Sequence, residues 1–229
     1  LGAVLDRMDR YGMWDDTLLV VWTDHGFMLG ERETLGKIWL PFFEETAHTP
    51  FWVWDPRCGK AGERRNALVQ PSIDLGPTLL RFFGQDATED MTGFDLAPTI
   101  ADDTPVRDAG IFGVHGGQVN VTDGRYVYMR GPNEANQPLF NYTLMPANMR
   151  SAFGTESFDD RMELADPFPF TKRCRTMRIP AKGWGGTQHP DRKETLLYDL
   201  ADDPQQQNPL ADEAAESRMV DLLKAEMER

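Results

Sequence analysis

Aspartate and histidine stand side by side in Thr23-Asp24-His25-Gly26, and chemistry enters this sequence there. A carboxylate is a hard oxygen ligand for cations, and an imidazole serves as ligand or as hydrogen-bond donor. Twelve positions after His25, Lys37 sits in Leu35-Gly36-Lys37-Ile38-Trp39, a cation among apolar and glycine residues. Such a lysine is costly to bury unless paired, and a bound anion would pair it. His115, in Gly113-Val114-His115-Gly116-Gly117, has the glycine surroundings that suit a pocket lip. Each has a plainer reading at this point: Asp24 as a turn cap beside a satisfied histidine, Lys37 as a snorkelling surface lysine, His115 as part of a glycine-rich turn. Glu44, Glu45 and His48 read as a solvated loop before a strand, and His189 as loop.

These residues need elements to position them. Leu1, Val4, Leu5 and Met8 fall on one face of a helix, which Gly12 ends. Thr17 to Trp22 is a continuous apolar, partly β-branched run and reads as a buried parallel strand. Asp24 and His25 follow its carboxyl end, where open α/β sheets bind ligands, and Gly26 frees the chain to turn. Phe51 to Trp54 is a second strand. Pro71 to Phe83 reads as a helix with Ser72 as cap, Ile73, Leu79, Leu80 and Phe83 as its apolar set, a kink or late start at Pro77, and Gly84 as its stop. Residues 85 to 108 read as a connection. Strands follow around Ile111 to Val114 and Arg125 to Met129, with Thr122-Asp123-Gly124 as a hairpin turn. Residues 131 to 193 look loop-rich, Thr195 to Leu200 forms one more strand, and Asp212 caps a last helix with Met219, Leu222 and Leu223 inward. The division expected is 1–105 and 106–229.

Composition narrows the partners. The chain has 229 residues and a formal net charge of -13, and no basic patch stands out, so nucleic acid is not an expected partner. Against that acidic background, an anionic substrate requires a local positive field from the pocket's own lysine, arginine or metal. The longest apolar run is too short to span a bilayer. Cys58 and Cys174 have no zinc-type spacing, and a disulfide between them stays open. Leu1 already lies in a helical pattern, so the natural N-terminus is expected upstream, and the compartment is not readable.

Four stretches together resemble the sulfatase family of the alkaline phosphatase superfamily. They are Thr23-Asp24-His25-Gly26-Phe27-Met28-Leu29-Gly30-Glu31 with Lys37 downstream, Glu44 to Phe51, Pro71 to Leu80 with its Asp74, Pro77 and Thr78, and the close Leu197-Tyr198-Asp199-Leu200, Asp203-Pro204 and Asn208-Pro209-Leu210. The resemblance implies an α/β fold: a truncated alkaline phosphatase-like sandwich followed by a smaller α+β C-terminal subdomain. It implies a sulfuric ester hydrolase acting on a small sulfate ester or a sulfated sugar. Asp24 would ligate a divalent metal, most often Ca2+, with Mn2+ or Zn2+ as alternatives. His25 would complete the metal's surroundings or hydrogen-bond the sulfate, Lys37 would contact a sulfate oxygen, and His115 would line the substrate mouth. His48 stands where many family members have arginine.

One departure is large. The family's nucleophile lies in a C/S-x-P-S-R motif in the N-terminal half, and neither Cys58 nor Cys174 has that context. The chain is therefore expected to be a C-terminal portion, inactive alone, whose partner is the missing N-terminal half. Two alternatives accompany this reading: a phosphonate monoester or phosphodiester hydrolase of the same superfamily, and a non-catalytic partner chain of a split enzyme.

Overall fold

Met8 anchors the first element. In the computed structural model, which describes residues 1–37, 41–133, 136–147, 151–181 and 194–229, α1 (Gly2–Tyr11) buries Met8 and ends at Gly12 with φ 61. That left-handed cap is nearly free of strain for glycine alone. His189 lies outside the described residues. The chain divides into two compact units, one of Leu1–Lys37, Phe43–Ala87 and Thr92–Gly110, the other holding Thr88–Met91 and Ile111–Arg229. Among the described residues no helix is long and apolar enough to cross a membrane.

In the first unit, β1 (Leu19–Trp22) leads into a two-residue hairpin, β2 (Met28–Leu29) and β3 (Leu35–Gly36), then a short helix α2 (Glu44–Ala47) and β4 (Phe51–Trp54). β1 pairs β4 antiparallel, Leu19 opposite Trp54 and Trp22 opposite Phe51. This corrects the expectation of a buried parallel strand: β1 is antiparallel and half-buried along its length. An apolar run reports apolar neighbours on both faces and says nothing of strand direction. The chain returns here through a local hairpin and one turn of helix, which brings it back antiparallel, not through the long crossover a parallel neighbour needs. Trp54 fixes the pair from below. Its indole packs edge-on against Trp14, with centroids 5.7 Å apart, and donates to the Trp14 carbonyl at 2.9 Å.

α3 (Pro71–Phe82) and α4 (Ala97–Asp102) complete this unit. α3 runs unbroken through Pro77, and Gln70, not Ser72, stands at its N-cap. Its buried residues are Asp74, Pro77 and Thr78, while Ile73, Leu79 and Phe83 are exposed, so the apolar set read from the sequence is not the face that packs. α4 occupies the stretch expected to be a plain connection.

The chain passes into the second unit after the first residue of β5 (Gly110–Gly113), and that unit holds β6 (Val119–Thr122), β7 (Tyr126–Arg130), β8 (Phe140–Thr143), β9 (Glu163–Ala165), β10 (Thr176–Pro180), β11 (Leu196–Asp199) and α5 (Glu213–Glu228). One sheet has the order β11-β7-β6-β5, the other β8-β10-β9. The hairpin turn at Thr122-Asp123-Gly124 joins β6 to β7, with Val121 opposite Tyr128. α5 lies on these two strands, where the buried Tyr128 donates its hydroxyl to Glu216 at 3.2 Å. Asp212 caps α5 as expected, accepting from the Ala214 and Ala215 amides at 3.0 Å each. The Leu197 to Asn208 segment is held as structure. Arg125 grips Asp199 with two nitrogens, at 3.0 and 2.7 Å, and that grip pulls the carboxyl down to about 2.

Candidate functional site

The turn after β1 is built by its own polar atoms. The Thr23 hydroxyl donates to the His25 carbonyl at 3.1 Å, and the Trp22 indole donates to the Thr49 hydroxyl at 3.1 Å, tying the strand end to the approach of β4. The Gly26 amide donates to the Thr46 carbonyl at 2.8 Å. A Cβ on Gly26 would lie 1.8 Å from the Glu45 carbonyl oxygen. Glycine is required there because two backbones touch, α2 against the turn. The same contact sets where Asp24 and His25 point from.

His25 Nδ1 lies 2.8 Å from the Gly26 carbonyl oxygen. A carbonyl only accepts, so this nitrogen carries the proton, and in the neutral ring the lone pair sits on Nε2. Nε2 is 3.5 Å from Asp24 Oδ2. The Asp24 carboxylate is 78% exposed and the His25 ring 34%. One oxygen and one nitrogen lone pair thus lie close enough to reach a single cation, with the imidazole oriented by a backbone carbonyl, the usual second-layer support of a metal-bound histidine. The donor chemistry fits a divalent metal, as a partial set. Among the described residues no group of three or more His, Cys, Asp or Glu side chains gathers to hold one.

Lys37 directly follows β3, whose last residue, Gly36, pairs with Met28, three positions from His25. Gly36 has φ 135, and the chain bends at Lys37. Lys37 is exposed and, among the described residues, has no ion-pair partner. The hairpin tip is tight: Arg32 and Glu33 have φ 50 and 55, and the Arg32 guanidinium lies 3.4 Å from the Phe43 ring centroid. Such dihedrals cost non-glycine residues free energy and persist only where surroundings impose them.

The residues before β4 form α2, not a solvated loop. His48 Nδ1 lies 2.6 Å from Glu44 Oε2, and that hydrogen bond raises the histidine above its ordinary pKa against the opposing effect of burial. Glu45 Oε2 is buried with no hydrogen-bond partner among the described residues. A buried carboxylate oxygen without a donor is unusual. No sequence pattern singled Glu45 out, because its neighbours are polar and its burial follows from the Gly26 contact.

Asp74, Pro77 and Thr78 belong to a joint. Asp74 accepts from the Gln70 amide at 2.7 Å and the Phe94 amide at 2.9 Å, and pairs with Arg107, both side chains at most 1% exposed. Thr78 donates to the Asp74 carbonyl at 2.7 Å and accepts from the Leu96 amide at 2.9 Å. Proline at 77 leaves the Ile73 carbonyl without its helical partner, and Gly93 packs against that carbonyl so closely that a Cβ would stand 1.9 Å away. The motif fastens α3 to residues 93–96.

His115 belongs to the second unit. It is exposed in the turn between β5 and β6, at a cleft of about 580 Å³ lined also by Asn133, Asn136 and Gln137. The Asn136 amide donates to the Gly116 carbonyl at 2.9 Å and closes one side.

Residues 1–85 match the family model described as Sulfatase. This chain carries a sulfatase-family segment. It is 34% identical over 110 residues to the multifunctional alkaline phosphatase superfamily protein PehA of Trinickia caryophylli, covering 46% of this chain and 20% of that protein. It is 31% identical over 100 residues to N-acetylglucosamine-6-O-sulfatase of Bacteroides thetaiotaomicron, covering 44% of this chain and 17% of that one. Among solved structures, BT4656 in complex with its substrate D-glucosamine-2-N,6-O-disulfate superposes with a TM-score of 0.65 at 18% identity, covering 99% of this chain and 37% of that one. The fold is thus an α/β fold of the alkaline phosphatase type. The aligned segment spans about a fifth of the relatives it matches.

Proposed function

We propose that the protein to which this chain contributes hydrolyses sulfate esters, with Asp24 and His25 holding a divalent cation and Lys37 meeting an oxygen of the transferred group. The observation that carries this reading is the His25 ring: Nδ1 is committed to the Gly26 carbonyl, and Nε2 faces Asp24 Oδ2 at 3.5 Å. Ester cleavage builds negative charge on the transferred group and leaving oxygen, and fixed cations offset it. A bound metal would supply most of that field. Lys37 adds a unit charge on a flexible stem, free to follow the group as charge grows. His115 is a further candidate contact to substrate. The relatives named for an N-acetylglucosamine 6-sulfate and a disulfated glucosamine support a sulfated sugar as substrate.

The remaining catalytic parts, the nucleophile and further carboxylates, belong to an N-terminal half of the same protein. Neither Cys58 nor Cys174 has a nucleophile's motif context, and one carboxylate with one imidazole is too few for calcium, which takes about 6–8 oxygens. The chain alone is accordingly inactive on aryl sulfate. A second reading, a phosphonate monoester or phosphodiester hydrolase, is favoured by the imidazole nitrogen, which suits Mn2+ or Zn2+ better than Ca2+. The test is metal content and turnover of the complete enzyme on paired aryl sulfate and aryl phosphonate substrates. Faster turnover of sulfate, with metal lost in Asp24→Ala, supports the first reading. Metal retained in Asp24→Ala, or preference for phosphonate, overturns it.

A further inference from the structure

The second unit carries an exposed aromatic ridge that none of the preceding site residues uses. Phe168 and Phe170 stack face to face, with centroids 5.3 Å apart and planes 3° apart, and Tyr142 meets Phe168 edge-on at 5.0 Å. Phe170 is 63% exposed and Tyr142 45%. Rings stacked on one another yet open to water are a platform: their preorganised faces lose little on covering the apolar face of a ligand.

The turn after this ridge is cationic and strained. Residues 167–181 contain Lys172, Arg173, Arg175 and Arg178 and no acidic residue, in a chain of net charge -13. Lys172 and Arg173, neither of them glycine, are consecutive at φ 51 and 69. The buried Thr171 imposes this, its hydroxyl 2.9 Å from the Phe168 carbonyl and 2.8 Å from that of Cys174. Backbone held in that region at a cost is a feature of ligand clamps. Two of the cations are committed: Lys172 Nζ lies 3.3 Å from Asp90, and Arg178 pairs with Glu163 at 2.7 Å. Arg175 donates to the Leu164 carbonyl at 2.7 Å and so holds its place without losing its charge. Arg173 has no acidic partner among the described residues.

We propose that this ridge, Tyr142, Phe168 and Phe170 with Arg173 and Arg175, docks a sulfated saccharide chain. Pyranose rings offer flat C–H faces to aromatic rings, and sulfate groups on the same chain offer the charge that guanidinium forks bind in pairs. The proposal rests on the sulfate-ester reading for its choice of anion and deepens it: the substrate is an oligomer with more than one sulfate, held at a place other than the bond that is cut.

The test is calorimetric titration of the complete protein with a fully sulfated heparin hexasaccharide at low ionic strength, beside its desulfated counterpart. Binding is expected to require sulfation and to weaken with added salt. Phe170→Ala and the double variant Arg173→Gln/Arg175→Gln should each weaken it about tenfold, the scale of one or two surface contacts. Both variants should keep the parent's melting temperature and, in the complete enzyme, its turnover of a small aryl sulfate. Equal affinity for the desulfated sugar, or affinity unchanged in both variants, overturns the proposal. Self-association abolished by Phe170→Ala, with sugar affinity intact, makes the ridge an interface between copies and also overturns it. If no aryl sulfate is turned over while sulfation-dependent binding persists, the hydrolase reading fails and the docking surface stands.

Discussion

Two family motifs in the first unit use the same kinds of residue to opposite ends. At Asp74 a carboxylate is sealed from solvent, paired with Arg107 and supplied with two backbone donors. At Asp24 a carboxylate is 78% exposed, with an imidazole lone pair as neighbour and Lys37 in the adjoining hairpin. In the first arrangement the carboxylate is fully occupied, and Arg107 Nε is the one atom of the pair without a partner among the described residues. The second has charge and lone pairs unspent. A motif match alone does not distinguish the two. The balance of donors and acceptors does, and it is the ground for reading Asp74 as a joint and proposing Asp24 as a site.

That contrast is broken most forcefully at the joint. Asp74→Ala strands a buried guanidinium and two amides, and should cost about 3–5 kcal/mol, the scale for removing one partner of a buried pair. Denaturant unfolding measures it, and a loss below about 1 kcal/mol would mean the joint is not sealed. Gly26→Ala comes next, since its Cβ would meet the Glu45 carbonyl at 1.8 Å. It should lower the melting temperature and, in the complete enzyme, turnover together, because the contact that seats α2 also aims Asp24 and His25. Asp212→Ala removes the cap of α5, in the second unit, and should cost about 1 kcal/mol. The smallest effect concerns His48. Its raised pKa means the Glu44 contact stabilises fully below the ordinary histidine range and is lost as pH climbs through the raised value. Glu44→Gln should move the His48 titration downward by NMR and flatten stability across that window. A titration unchanged in Glu44→Gln would remove Glu44 as the cause.

Much of this was legible in the chain. α1 and its Gly12 stop, β4, the Thr122 to Gly124 turn and the Asp212 cap are local signals, and the structure keeps them. β8 and β10 were not legible, because Phe140–Thr143 finds its partner only at Thr176–Pro180 and neither strand alternates cleanly. The packing face of α3 was misread because hydrophobicity cannot register a polar face buried through its own hydrogen bonds. At the site, residue types and spacing pointed to Asp24, His25 and Lys37. The proton position on His25 turns on the direction of one neighbouring carbonyl, that of Gly26, and the close approach of Gly26 to Glu45 joins residues far apart in the chain; residue types alone report neither.

Lys37→Ala, measured twice, tests the central claim most directly. The side chain is exposed and has no ion-pair partner among the described residues, so the melting temperature should stay within the shift expected of about 0.5 kcal/mol for a surface change. In the complete enzyme, kcat on an aryl sulfate should fall by roughly 10²- to 10³-fold, the scale for one lost contact to developing charge. An unchanged kcat, or a kcat that falls only in step with lost stability, would contradict the account.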